Sequence, residues 1–235
     1  AAKGAKLVSI LNDYSQMASD ATYGSYATSF NAKVEASLIK SQTAGQAGGS
    51  FATADVVAVT NKSLVLTTGV DTTLVGGAGN DNILGEGGND IISGGGGGTD
   101  TINSGTGDDF ITIGAASHTI NGDTGTDTVT LTTSATTTQI DGFTNVEKII
   151  IATDITTAIT TANAVVASGK TLIIDGGNLT SASLTFIGSA EADGNFNIIG
   201  GAGTDAITGG SLADTISGGG GTDTITGGSG DDSLT

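Results

Sequence analysis

The sequence predicts a mainly β chain wound as a parallel β-roll or β-helix, with a short N-terminal α-helical segment. Three observations carry this. From Gly200 to Thr235 the chain reads GGAGTDAIT, GGSLADTIS, GGGGTDTIT, GGSGDDSLT, nine-residue units with nothing between them. The same pattern, Gly-Gly-x-Gly-x-Asp-x-apolar-x, recurs from Gly76 to Thr130. Between these blocks Thr, Val and Ile dominate, as pleated half-buried strands prefer. A period of nine would carry its apolar residue round an α-helix to a new face at every repeat. It suits a six-residue turn and a three-residue strand, laid alternately on the two sides of a flattened spiral.

Taken in order, residues 1–50 read as a helical segment and linker, the end of an upstream helical domain or a cap on the open end of the spiral. Leu7, Ile10, Leu11, Tyr14 and Met17 recur at three- and four-residue steps, and Phe30, Val34, Leu38 and Ile39 align over Thr28 to Lys40. Ser41–Ser50 is a linker by composition. Residues 51–130 carry strands leading into the first block; counting back in nines from Gly76 places Leu74 and Val65 at the aliphatic eighth position. Residues 131–187 keep strand chemistry without glycine turns and read as a parallel β-rich insert, either a wider β-helix or a β-sandwich. Within it Thr160 to Ser168 is expected as a short helix ended by Gly169, and Glu147 with Lys148 as a solvated pair. Residues 188–235 form the second block. The chain is read as a piece of a larger polypeptide.

The repeat has a chemical logic. Its sixth residue is aspartate at Asp81, Asp90, Asp100, Asp109 and Asp127, and again at Asp205, Asp214, Asp223 and Asp232. Its eighth is aliphatic throughout, from Ile83 to Leu234. Glycines at the first, second and fourth positions (Gly76, Gly77, Gly79, Gly85, Gly95, Gly97, Gly200, Gly201, Gly203, Gly209, Gly218, Gly219 and Gly221) are expected to visit positive φ and bring carbonyls together. An extra glycine, Gly94, is read as falling between two units. Stacked turns are about 4.8 Å apart, so carboxylates there repel by about 1–3 kcal/mol per pair. A hard cation taking six to eight oxygens answers that repulsion, and Ca²⁺ suits the irregular cage better than Mg²⁺. The expected fold is therefore a calcium-stabilised roll. About five ions are expected, between Asp81 and Asp100, Asp90 and Asp109, Asp109 and Asp127, Asp205 and Asp223, and Asp214 and Asp232. His118, standing where an aspartate belongs, is read as a decayed turn that ends one column. Leu212, in place of a fourth glycine, marks its turn as the weakest because it resists positive φ.

Composition narrows the partners. Net charge is −17, and every basic residue is lysine, which argues against nucleic acid as a partner. There is no cysteine, so no disulfide scaffold or thiolate site. No apolar run reaches the ~20 residues of a membrane span. One histidine, no HExxH and no GxSxG leave no recognisable catalytic machinery, and the chain is expected not to be an enzyme.

The repeats over Gly76–Thr130 and Gly200–Thr235 resemble the RTX (repeats-in-toxin) family of proteins exported by type I secretion, which includes toxins, proteases, lipases, adhesins and surface-layer proteins. The succession of small helices, then SLVLTTGVDTTLVGGAGND, then Ala/Thr/Ser-rich strands and further repeats is most similar to the surface-layer (S-layer) branch. That resemblance implies an extracellular, cell-surface protein that self-associates in a calcium-dependent lattice. It also implies an upstream domain contacting cell-surface polysaccharide. The competing expectation is the RTX portion of an adhesin, or of a toxin or hydrolase whose active domain lies outside this chain.

Overall fold

The computed structural model describes residues 63–65, 73–114, 117–133, 140–152 and 154–235. The helical segment and linker expected over 1–50, and the strand signals from Phe51 to Thr60, lie outside them. Every described strand pairs in parallel, and the chain winds as a two-walled β-solenoid.

One wall begins with β1 (Ser63–Val65), β3 (Asn82–Leu84), β5 (Thr101–Asn103), β7 (Thr119–Asn121) and β9 (Phe143–Thr144). It resumes with β11 (Thr157–Thr160), β13 (Leu184–Ile187), β15 (Ala206–Thr208) and β17 (Thr224–Thr226). The opposite wall is one nine-stranded sheet. Its members are β2 (Thr73–Gly77), β4 (Ile91–Gly95), β6 (Phe110–Ile113), β8 (Thr128–Leu131), β10 (Lys148–Ile151), β12 (Thr171–Asp175), β14 (Asn195–Gly201), β16 (Thr215–Gly219) and β18 (Ser233–Leu234). Consecutive strands lie on opposite walls, so each coil uses two turns.

The repeat's eighth residue sets the register. Leu74, Ile92, Ile111 and Val129 pair in line on the long wall, as Ile83, Ile102 and Ile120 do opposite. All are buried, because a strand's side chains alternate and the seventh and ninth residues point outward. At the start of the spiral the register differs from a count in nines. Leu64, not Val65, pairs with Ile83, and Val65 is 45% exposed. A slip of one residue reverses which side chain faces inward.

Residues 131–187 join the same ladder, β8 pairing with β10, β10 with β12 and β12 with β14. Their coils are longer, stepping from Val129 to Ile149, then to Ile174, then to Ile198. The added length encloses Phe143, Phe186, Phe196, Leu172, Leu179 and Val166. Phe186 and Phe196 meet edge to face, ring centroids 5.0 Å apart. The helix expected over Thr160 to Ser168 is absent. Thr157–Thr160 is strand β11, and the chain then turns, with Gly169 at φ 70°. Val165 and Val166 are buried by that turn, and β-branched residues fit it at no helical cost.

Candidate metal centre

The sixth-position aspartates form ladders along the two edges of the solenoid. From Asp100 onward each gives Oδ1 to the backbone amide at the matching place one coil earlier. Asp81 donates to Asp100 at 2.9 Å, Asp90 to Asp109 at 2.7 Å and Asp109 to Asp127 at 2.9 Å. In the second block Asp205 donates to Asp223 and Asp214 to Asp232, both at 2.9 Å. The structure thus brings together the same five pairs that alternation of the turns predicts. Above each ladder, Asp205 caps the amide of Leu184 and Asp214 that of Phe196, both at 2.7 Å, so the columns enter the middle coils.

The second oxygen of these carboxylates has a different environment. Oδ2 of Asp109, Asp127 and Asp205 is buried and accepts no hydrogen bond. A buried carboxylate oxygen without a donor costs several kcal/mol unless a charge meets it. Burial therefore raises Asp127 and Asp205. Reinforced by the carboxylates of Asp109, Glu147 and Asp108, and only partly opposed by the Asp109 amide, it pushes Asp127 up to about 7. Asp205 and Asp214 rise for the same reason, with Asp223 and Asp232 as their anionic neighbours.

The glycines divide into two roles. Most second and fourth positions, though not Gly203 or Gly210, hold positive φ, as at Gly77 (121°), Gly79 (100°), Gly95 (99°), Gly201 (144°), Gly219 (89°) and Gly221 (104°). First positions do not. At Gly76, Gly85, Gly200 and Gly209 a Cβ would strike both Oδ2 of the turn's own aspartate and the carbonyl oxygen of the matching residue in the next coil. At Gly218 it would strike Oδ2 of Asp223. Space for oxygens, not backbone handedness, selects glycine there. At Gly203 a Cβ would meet the carbonyl of Ala182, again a matter of space.

Two sequence expectations need correction at these turns. The extra glycine does not fall between units. Gly94 occupies the first position, Gly95 pairs with Gly77, and Gly98 (φ 84°) takes the fourth, so the added residue lies within the turn and Gly97 meets nothing. Leu212 is not at positive φ, so its turn carries no such strain. Within the repeats the non-glycine residues that do carry it are Glu86 (φ 71°) and Asp123 (φ 65°), both at second positions.

His118 stands in the aspartate ladder and does half of an aspartate's work. Its Nδ1 accepts the Asp100 amide at 3.2 Å, while Nε2 is buried without a partner. Burial lowers its pKa against the opposing pull of Asp100, so the ring is neutral and brings no second anion to the column. Nδ1 also lies 3.2 Å from Oδ2 of Asp100. A nitrogen already accepting an amide has no proton for that oxygen.

Glu147 and Lys148 are not paired with each other. Lys148 Nζ meets Asp175 Oδ2 at 2.7 Å, and Glu147 Oε2 accepts the Asp127 amide at 2.8 Å. No sequence signal marked Glu147 as part of the ladder, because the turn before it lacks the glycine pattern.

Among the described residues no three His, Cys, Asp or Glu side chains cluster as a metal site. A cation at these turns must therefore combine two carboxylates with main-chain carbonyls, a hard all-oxygen set. Buried, unsatisfied Oδ2 atoms and glycines that leave room beside carbonyls fit such an ion, and fit Ca²⁺ in particular. Fold and site together define a parallel β-solenoid whose acidic turns are built for divalent cations. The family model of the RTX calcium-binding nonapeptide repeat (4 copies) matches residues 67–98, 95–129 and 198–234. Over these stretches the chain carries calcium-binding repeats of the RTX type. No curated protein and no solved structure gives a significant match.

Proposed function

We propose that the chain is a structural, calcium-ordered part of an extracellular surface protein that assembles sideways into an S-layer lattice. The observation that carries this reading is the ladder itself, two edges of stacked aspartates with buried, unsatisfied Oδ2 atoms. Bound calcium supplies the charge that holds successive coils together. This chain's residues supply the cage: Asp81, Asp90, Asp100, Asp109 and Asp127 in one block, and Asp205, Asp214, Asp223 and Asp232 in the other, with the turn carbonyls between them. About five ions bridge the coils.

Exposed apolar side chains on the long wall, Val75, Ile91, Phe110 and Ile199, favour lateral contact between copies. Export as an unfolded chain, followed by folding in millimolar calcium outside the cell, agrees with sites that do not exist before the coils stack. No catalytic step is assigned to the chain, since its one histidine is occupied by the ladder. Contact with cell-surface polysaccharide belongs, in this reading, to a domain upstream. A second reading, an adhesin extender, is favoured by the in-line stacking of all coils on one ladder. The RTX portion of a toxin or hydrolase is the remaining alternative.

Circular dichroism across a calcium titration, with magnesium as control, tests the shared core of these readings. β-Structure gained in millimolar calcium and not in magnesium is the expected result, and a calcium-insensitive spectrum would refute it. Electron microscopy of native surfaces separates lattice from extender: a two-dimensional array that dissolves in chelator is expected, and isolated fibres would favour the extender.

A further inference from the structure

The ladder runs one coil past the last glycine turn of the first block. Lys148 pairs with Thr128, which places Glu147 beside Asp127 at the sixth position, although no repeat surrounds it. Its Oε2 caps the Asp127 amide at 2.8 Å, as Asp127 Oδ1 caps Asp109. Asp127 is fully buried, and its Oδ2 accepts no hydrogen bond. A Cβ on Gly122 would strike that Oδ2 together with the carbonyl oxygen of Asn145 in the next coil. The same pair, a carboxylate oxygen of the turn and a carbonyl oxygen of the next coil, flanks Gly76, Gly85, Gly200 and Gly209 within the repeats. Asn145 reaches this place at φ 51°, a conformation asparagine tolerates better than most residues.

We propose that Asp127, Glu147 and the Asn145 carbonyl hold a further divalent cation of the calcium class, outside the nonapeptide repeats, at the junction with the middle coils. The inference rests on the calcium reading of the repeats and extends it to a turn that has no repeat motif. Two carboxylates and a carbonyl are hard donors that select calcium over softer metals. They leave coordination positions for water, and a cavity of about 350 Å³ lined by Asp123, Asn145, Glu147 and Lys170 adjoins them. Lys170 forms no ion pair among the described residues, so its ammonium does not replace the cation. The ion fastens the first block to the wider coils that follow.

Equilibrium dialysis of the full chain with radioactive calcium tests this. Glu147→Gln keeps the side-chain length and an oxygen for the Asp127 amide but removes the charge. It is expected to bind one ion fewer per chain than the native protein. Asp205→Asn, in the other block, is expected to lose binding independently, so that the two losses add. Unchanged stoichiometry in Glu147→Gln, with Asp205→Asn reduced, overturns this site and leaves the repeat sites standing. A native chain that binds no calcium overturns both. Crystals of the native chain grown in calcium give a measurement that does not depend on a variant's folding. Anomalous density between Asp127 and Glu147 is expected, and density between Asp109 and Asp127 without it refutes the site.

Discussion

Coils built on glycine turns and coils built from residues 131–194 share one parallel ladder, yet they hold their acidic groups in opposite ways. In the repeats Asp109 and Asp205 spend one oxygen on a backbone amide and leave the other buried and unanswered. In the middle coils Glu191 and Asp154 have both oxygens answered. Glu191, fully buried, takes the amides of Ala192, Asp193 and Gly194 on Oε1 and that of Val166 on Oε2. Asp154 gathers the Thr180 hydroxyl and the amides of Thr180 and Ser181, and those bonds lower its pKa to about 2. Asp175 is raised by burial, but the Lys148 ammonium and the Gly177 amide outweigh that and leave it lowered.

Coil length explains the difference. A short coil buries one or two aliphatic residues per strand and no phenylalanine, so its turns pack against each other through oxygen. A long coil has loop enough to fold amides onto a carboxylate and volume enough to bury Phe186 against Phe196. Calcium is needed where the chain is too short to solve its own electrostatics.

The largest expected effect is therefore of chelation, and it should divide the molecule. In excess chelator the amides of β4, β6 and β16 should lose hydrogen-exchange protection, while those of β12 and β13 keep the most. Equal loss in both regions would show that the distinction is wrong. Phe186→Ala should act the other way. Truncating a buried aromatic costs about 3–5 kcal/mol, and thermal melts should show that loss with calcium present, since no ion replaces the packing.

Acidity offers a subtler contrast. In the ion-free chain a raised carboxyl such as Asp127 binds its proton more tightly when folded. Its contribution is whole below the unfolded value of 3.8 and is lost as pH rises through about 7. Asp154, lowered to about 2, contributes fully above 3.8 and loses that contribution as pH falls from there through about 2. Residue-resolved exchange in chelator should show the repeats gaining order from pH 7 down to 4. The loop around Thr180 should loosen only below pH 4. Repeat order that grows with pH in chelator would contradict the assignment. The smallest effect is at Glu86, which holds φ 71° where a glycine is expected. Glu86→Gly should relieve that strain and, after the glycine's own entropy cost, leave a gain of about 1 kcal/mol or less. Calorimetry in calcium would reveal it.

Much of this was legible in the residues. The phase of the repeats placed the aspartate pairs, the inward column from Ile83 to Ile216 and the alternation of walls, because a period of nine admits few windings. Where the phase is interrupted, inference from spacing slipped. It put Val65 inward in place of Leu64, set Gly94 outside its turn, and made a helix of Thr160 to Ser168.

The chain by itself determined the chemistry of its turns, since glycine, aspartate and an aliphatic residue at fixed intervals allow a stacked, oxygen-lined edge and little else. Only the tertiary structure decided that residues 131–187 continue the same ladder and that Glu147 stands in line with Asp127. The physical reason is that register between coils is fixed by which strands pair, and loops of unequal length hide that pairing from any count along the sequence.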